Sequence, residues 1–394
     1  MRYDRDTRKP NLNPNSVNLS PYSCPSAVKR LAVTYRFVRG PKNRRNKTMR
    51  AMKLTAIRKM EMIEVPTPKI MKDNDVLIKM KKVGVCGSDL HYYENGQIGS
   101  QVIQYPFTVG HEGAGVVEAV GASVTKLASG DRIAIEPAMP CHKCDQCLAG
   151  RPHTCRKLNF LGCPGQAEGC LSEYIVMPED SCFKIGNNTS LEEASLSEPL
   201  TIGVYAVQQS IPMQGAKVGI LGVGPIGLSV LLPTKAQGAE RIYVSDKIDK
   251  RVQLAEKIGA NWGGNPDKTD IVTEINNHES SQLDVVFECC GKQEALDQAI
   301  ELLKPGGKLM LIGIPPTADR VSFLIDKLRH KEICIQNVRR QNHCLKPTLD
   351  MIDRKDFEID MLVTHRFAFE NTQDAFDLVG SYKDGVLKAM IDFE

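Results

Sequence analysis

Hydrophobic and polar positions change rhythm along this 394-residue chain. From about residue 51 to 200, short apolar runs are broken repeatedly by Gly and Pro. Asp75–Met80, Gly115–Ala119 and Arg132–Glu136 read as strands, with turns at Ala128-Ser129-Gly130-Asp131 and around Pro137. This texture predicts an antiparallel, β-rich domain with long loops. From about residue 204 the pattern becomes strand, helix, strand. Lys217–Leu221, Arg241–Ser245, Leu283–Phe287 and Lys308–Ile312 are short apolar strands. Ile226–Gln237, the amphipathic Lys250–Ile258 and Gln293–Leu303 are of helical length. Such alternation predicts βαβ units and a doubly wound parallel sheet, so the fold class is α/β with a β-rich partner domain. The last stretch, about 340–394, returns to mixed character, and no repeat of solenoid period is present.

Composition adds limits. With 42% hydrophobic and 25% charged residues, the chain has enough apolar material for a core, and no apolar run approaches the roughly 20 residues that span a bilayer. The first 50 residues hold 13 of the 51 Lys/Arg and only two of the 47 Asp/Glu, leaving 38 and 45 for the rest. The body is therefore mildly acidic, which gives nucleic-acid binding no support, and only the tail is basic. Residues 1–51, rich in Pro, Asn, Ser, Lys and Arg, read as a disordered tail; an anchor or targeting segment is the alternative. The opening Met1-Arg2-Tyr3-Asp4-Arg5-Asp6 has no apolar leader, which predicts a cytoplasmic chain.

Gly222-Val223-Gly224-Pro225-Ile226-Gly227 directly follows one predicted strand and opens a predicted helix, and Asp246 ends the next strand. Glycines at this spacing let the backbone approach a pyrophosphate at the helix N-terminus, and a carboxylate about 20 residues on accepts hydrogen bonds from the adenosine ribose. Gly222, Gly224, Pro225, Ile226, Gly227 and Asp246 are the expected cofactor contacts. Asp246 points to NAD over NADP. Lys247 and Arg251 are placed to offset the repulsion of a 2′-phosphate, and both are expected to swing to solvent; Arg251 is counted with the cofactor site.

Thirteen cysteines are an odd number, and four of them, Cys141, Cys144, Cys147 and Cys155, form C-x2-C-x2-C-x7-C. Four thiolates this close in sequence can close a tetrahedral zinc site with no open position, a structural clip. His142 and His153 exceed the four ligands needed and read as surface residues. A second constellation is spread out: Cys86, His111-Glu112 and Glu198, expected on separate loops. A Cys, a His and a carboxylate can hold a zinc that keeps one position for a reacting oxygen.

At this point the chain resembles the zinc-dependent medium-chain dehydrogenase/reductase family, and within it the polyol dehydrogenases of the sorbitol (L-iditol) 2-dehydrogenase type. The matching residues are Val85-Cys86-Gly87-Ser88-Asp89-Leu90-His91-Tyr92, Gly110-His111-Glu112, Gly130-Asp131-Arg132-Ile133-Ala134, the cysteine lobe, Glu198-Pro199-Leu200, the glycine fingerprint and Val363-Thr364-His365-Arg366-Phe367. They cover about 52–394. The resemblance implies a GroES-like catalytic domain split across 52–203 and 340–394, a Rossmann domain at 204–339, and an active site between them. It implies two Zn2+ per chain, NAD, a small-molecule polyol substrate oxidised to a ketose, and a homodimer or homotetramer, with no nucleic-acid or membrane partner. Carried over, Cys86 and His111 are zinc ligands. Glu112 and Glu198 are the acidic members, one bound directly and the other close or through water, in an order left open. Ser88 and His91 match a proton relay, and Tyr92, Glu198 and Arg339 match positions that touch the polyol. One departure stands out: an Arg-Tyr pair is usual in the sorbitol enzymes, whereas this chain has Arg339-Arg340. A second arginine suits a substrate of different length or one bearing phosphate or carboxylate, unless Arg340 faces outward. A threonine-type amino-alcohol dehydrogenase and a non-catalytic relative of the same fold are the rival readings.

Overall fold

The computed structural model describes residues 47–315 and 320–394, so most of the basic tail lies outside the described residues. The tail boundary expected at residue 51 falls too late. Thr48–Ala51 already belong to the strand Thr48–Ala56, which pairs antiparallel with Lys59–Pro66. The cause is local pairing: Thr48 stands opposite Pro66 and Ala51 opposite Ile63, with Ala51 buried.

Two sheets organise the rest. The first is a seven-stranded sheet ordered Cys182–Lys184, Arg132–Ile135, Glu112–Val120, Asp75–Gly84, Lys388–Asp392, Val363–Ala368, with Tyr174–Pro178 also paired to Asp75–Gly84. Its central strand buries residues on both faces, which explains why Asp75–Gly84 is apolar beyond simple alternation. The C-terminal strand lies beside it, Met390 opposite Gly84. The mixed character of the last 50 residues therefore conceals an interior strand, Lys388–Asp392, whose partner is some 300 residues earlier in the chain.

The second sheet is parallel and six-stranded, ordered Trp262–Gly264, Arg241–Ser245, Lys217–Leu221, Leu283–Glu288, Leu303–Leu311, Cys334–Asn337. Helices Pro225–Ala236, Asp249–Ile258, Ile271–His278 and Gln293–Leu302 fill the crossovers. The strand order reverses at Lys217–Leu221, and ligands of doubly wound sheets bind beyond the carboxyl ends of strands at such a point.

One long helix, Leu191–Gln208, runs where short strands were expected. Its start is a capping box: the Glu193 amide donates to Ser190 Oγ at 3.1 Å, and the Ser190 amide donates to Glu193 Oε2 at 2.7 Å. Pro199 sits inside the helix, and it, with the Gly/Pro texture around it, masked the helical signal. This helix joins the two sheets. The first sheet, expected to be antiparallel, is mixed, because Val363–Ala368 runs parallel to Lys388–Asp392. Leu196, Leu200 and Val204 of the helix share one apolar core with Ala114 and Ala134 of the mixed sheet and with Val218, Ile220 and Val244 of the parallel one. A second core fills the mixed sheet and a third lies on the other face of the parallel sheet. Among the described residues no helix is long and apolar enough to cross a membrane.

Candidate active site

The nucleotide turn has the geometry that its glycines require. Gly222 stands at φ 90°, in the left-handed region, and a Cβ on Gly227 would lie 2.0 Å from the Gly222 carbonyl oxygen. Gly224 caps the helix and Pro225 occupies its first turn, where a missing N–H costs nothing. Asp246 is buried at the end of its strand and accepts a hydrogen bond from the Ile248 amide at 2.9 Å. Burial, the largest influence, raises its pKa, opposed by backbone donors and by Arg251. Arg251 does not swing to solvent as expected. Its side chain is 11% exposed, with Nη1 4.0 Å from Asp246 Oδ2 and Nη2 donating to the Val386 carbonyl at 3.2 Å, while the guanidinium lies 5.4 Å from the Tyr382 ring centroid. The ring and the carbonyl hold it against the nucleotide turn. Lys247 is exposed and pairs with Asp267 at 2.9 Å.

The four lobe cysteines gather with every sulfur within 4.8 Å of the others. Cys144 Sγ is 3.6 Å from Cys147 Sγ and 3.9 Å from Cys155 Sγ. A tetrahedron of thiolates around zinc, with bonds of about 2.3 Å, has edges of about 3.8 Å, so this donor set fits the ion. The Cys141 and Lys157 amides each donate to Cys155 Sγ at 3.3 Å. Backbone donors, first that of Cys147, bring the Cys144 thiol down to about 6. His142 is exposed as expected, but His153 is buried. Its ring packs edge-on against Tyr205 and its Nε2 lies 3.4 Å from the Tyr205 hydroxyl, because the lobe folds back onto the long helix.

Cys86, His111 and Glu112 are brought together, their donor atoms within 4.8 Å of one another. They do not come from loops alone. Cys86 is the N-cap of helix Gly87–Asn95, and Glu112 opens the strand Glu112–Val120. A soft thiolate, an imidazole and a carboxylate suit zinc. Glu198 lies outside this three-donor group, on the helix Leu191–Gln208. Burial raises its carboxyl to about 7, with the His111 charge opposing and Glu112 reinforcing the shift. Ser88 Oγ donates to Cys86 Sγ at 3.4 Å, and His91, three residues on, shares its helix face. Burial lowers the His91 pKa. Tyr92 is buried, its hydroxyl donating to Gln101 Oε1 at 3.0 Å and 3.9 Å from Cys163 Sγ; burial raises its pKa. Arg339 is exposed, whereas Arg340 is drawn inward over Phe160, so the outward-facing alternative for Arg340 does not hold.

Two residues with functional geometry escaped the sequence reading. Asp89 is 1% exposed. It lies 3.3 Å from His111 Nδ1 and accepts the Gly110 amide at 3.0 Å and the Cys86 amide at 3.3 Å. It therefore orients His111 so that Nε2 is left for a metal, the usual role of a carboxylate behind a ligating histidine. Burial works against the His111 imidazolium, but Asp89 and Cys86 together raise its pKa well above the ordinary value. An acid three residues after a helix N-cap was the available signal. Lys388 is the other, 2% exposed, with Nζ donating to Glu112 Oε1 at 2.7 Å, Oε2 at 2.6 Å and the Val85 carbonyl at 3.1 Å. Its signal was a lone lysine in the apolar run Val386–Ile391. Removing one partner of such a buried pair costs about 3–5 kcal/mol, so Lys388 fixes the Glu112 carboxylate beside Cys86 and His111.

Residues 72–187 match the alcohol dehydrogenase GroES-like domain, and residues 225–354 match the zinc-binding dehydrogenase domain. The sorbitol dehydrogenase of Bacillus subtilis strain 168 is 35% identical over 344 residues, 87% of this chain and 97% of the relative. The chain belongs to the zinc-dependent medium-chain alcohol dehydrogenase family. Within that family it is also 32% identical over 310 residues to the L-idonate 5-dehydrogenase of Vitis vinifera, covering 77% of this chain and 84% of the relative. An alcohol dehydrogenase of Escherichia coli CFT073, solved in complex with NADH, superposes with a TM-score of 0.81 at 27% identity, covering 88% of this chain and 99% of that one. The chain is thus a zinc-type oxidoreductase of the alcohol and polyol dehydrogenase kind, with a GroES-like part and a Rossmann-like part.

Proposed function

We propose that this enzyme oxidises a secondary alcohol of a polyol to a ketose with NAD as hydride acceptor. The observation that carries the reading is the buried donor set Cys86, His111 and Glu112, braced by Asp89 and Lys388. The names of the sorbitol and L-idonate relatives supply the substrate class. When bound, zinc acts as a Lewis acid on the alcohol oxygen and the nicotinamide accepts the hydride. Cys86, His111 and Glu112 hold the metal, and Glu198, outside the donor group, acts through water. Asp89 keeps His111 in the ligating orientation. Ser88, beside the Cys86 sulfur, accepts the alcohol proton while releasing its own hydroxyl proton toward His91, which passes it outward; burial lowers the His91 pKa and so favours the neutral imidazole that can accept a proton. Tyr92, Glu198 and Arg339 contact the polyol. Asp246 accepts hydrogen bonds from the adenosine ribose and disfavours a 2′-phosphate. The four-cysteine lobe holds a second, structural zinc.

Metal analysis and a substrate screen test this together. Two zinc ions per chain are expected, with NAD-linked oxidation of sorbitol or xylitol exceeding that of threonine. Cys86→Ser should abolish turnover while NAD binding and folding persist. One zinc per chain, an active Cys86→Ser variant or a preference for threonine overturns the assignment.

A further inference from the structure

Arg340 is the side chain near the donor set whose chemistry remains unused. It follows the last strand of the parallel sheet, and its backbone is held at φ 54°, a left-handed conformation that an arginine rarely adopts. The guanidinium lies 3.7 Å from the Phe160 ring centroid, and the Phe160 ring centroid is 5.4 Å from that of His111. The cation and the metal-donor histidine therefore both contact one aromatic ring. Arg340 Nη1 is buried and has no hydrogen-bond partner among the described residues.

Among the described residues no carboxylate lies within 4.0 Å of the guanidinium nitrogens. Glu136, just past the strand Arg132–Ile135, is already engaged: its Oε1 accepts the Ala138 amide at 3.1 Å and its Oε2 accepts Gln341 Nε2. Burial also raises the Glu136 carboxyl to about 7, which weakens it further as a fixed anion. After burial, Arg339 opposes the Arg340 charge most, while Cys163, Glu198 and Glu136 favour it through space. Arg340 in turn acts on the Tyr92 phenol, whose hydroxyl stands 3.9 Å from Cys163 Sγ. The cation, stacked on Phe160, therefore acts electrostatically on Tyr92 and Glu198, two residues assigned to the substrate. Burial lowers its pKa to about 10, so it keeps its charge at neutral pH.

A buried guanidinium with a free donor is costly unless an anion meets it, and its planar fork matches carboxylate and phosphate oxygens. Water satisfies a donor but not the charge. We infer that Arg340 recognises an anionic group at the end of the substrate remote from the reacting carbon, so that the substrate is a polyol bearing a terminal carboxylate or phosphate. The inference rests on the polyol reading above and sharpens it.

Three six-carbon probes separate the alternatives: sorbitol, D-gluconate and sorbitol 6-phosphate, each with NAD. One anionic probe should show kcat/KM at least tenfold above sorbitol, and the identity of that probe decides between carboxylate and phosphate. Arg340→Gln should lower the anion-to-sorbitol ratio of kcat/KM at least tenfold, mainly through KM, and Arg340→Lys should restore part of it. Calorimetric titration of the preferred anion into the wild-type NADH complex should give binding that weakens with added salt and is lost in Arg340→Gln, with thermal midpoints recorded to verify folding. Sorbitol outperforming both anions, or an unchanged ratio in a folded Arg340→Gln variant, overturns the inference and leaves the polyol reading intact. Oxidation of threonine with none of the three probes overturns both.

Discussion

Asp246 condenses the cofactor question into one carboxylate. It is buried at the strand end with Arg251 held 4.0 Å away, so that arginine offsets the carboxylate's repulsion of a 2′-phosphate more steadily than a solvent-exposed base would. The acid still lies closest to the strand end, and a roughly tenfold preference for NAD in kcat/KM, about 1.4 kcal/mol, is expected. Asp246→Ala should erode it, mostly by raising the KM for NAD and by freeing Arg251 for a phosphate. Equal or better turnover with NADP in the wild-type enzyme sinks the idea. The pH dependence has a definite sign. Because burial raises the Asp246 pKa, the carboxylate gains its proton at a higher pH than the ordinary value of about 3.9. The neutral acid is a poorer acceptor, so the KM for NAD should climb on acidification before that value is reached. Asp246→Asn should flatten the profile, and an unchanged slope would assign it to another group.

At the scale of elements, the two metal-donor sets differ in how the chain builds them. The lobe is a local loop, with all four sulfurs inside residues 141–155 and Cys144 capping the short helix Asp145–Leu148. Cys144→Ser should lower the thermal midpoint by roughly 5 °C or more, and a strong chelator should produce a similar fall in the wild type, because binding energy at a closed site is folding energy. Cys86→Ser should move the midpoint less, since helix, strand and the Lys388–Glu112 pair hold its surroundings together. A larger fall for Cys86→Ser would reverse the assignment of the structural and catalytic sites. The lobe and the glycine turn were legible because their spacing in sequence is their spacing in space. The helix Leu191–Gln208 was not, since Pro199 and neighbouring small residues imitate loop texture, and only its Ser190–Glu193 capping box announced it.

Across the whole molecule, the first described strand ties distant segments together. Arg50 Nε lies 2.8 Å from Glu173 and Nη1 2.5 Å from Glu370, and the Arg50 carbonyl accepts the Glu173 amide at 3.0 Å. These ion pairs are partly exposed and each contributes little, but cutting here also removes the pairing of Thr48–Ala51 with Ile63–Pro66. A chain starting at Met52 should therefore be about 1–3 kcal/mol less stable than one starting at Lys47, with a midpoint lower by several degrees. Identical midpoints would show that these five residues, Lys47 to Ala51, contribute nothing to the fold.

The sequence by itself determined what short-range geometry can encode: the alternating strands and helices around the glycine turn, Asp246 at the strand end, the cysteine lobe, and the candidates Cys86, His111 and Glu112. Tertiary structure decided what lies between residues far apart in the chain. Lys388 reaches Glu112 across 276 positions, Arg340 stacks on Phe160, and Asp89 turns toward His111. The physical reason is that a motif fixes which groups are present and their local directions. Which charge is paired and which is left facing the substrate depends on the packing of strands and helices that the chain brings together only when it folds.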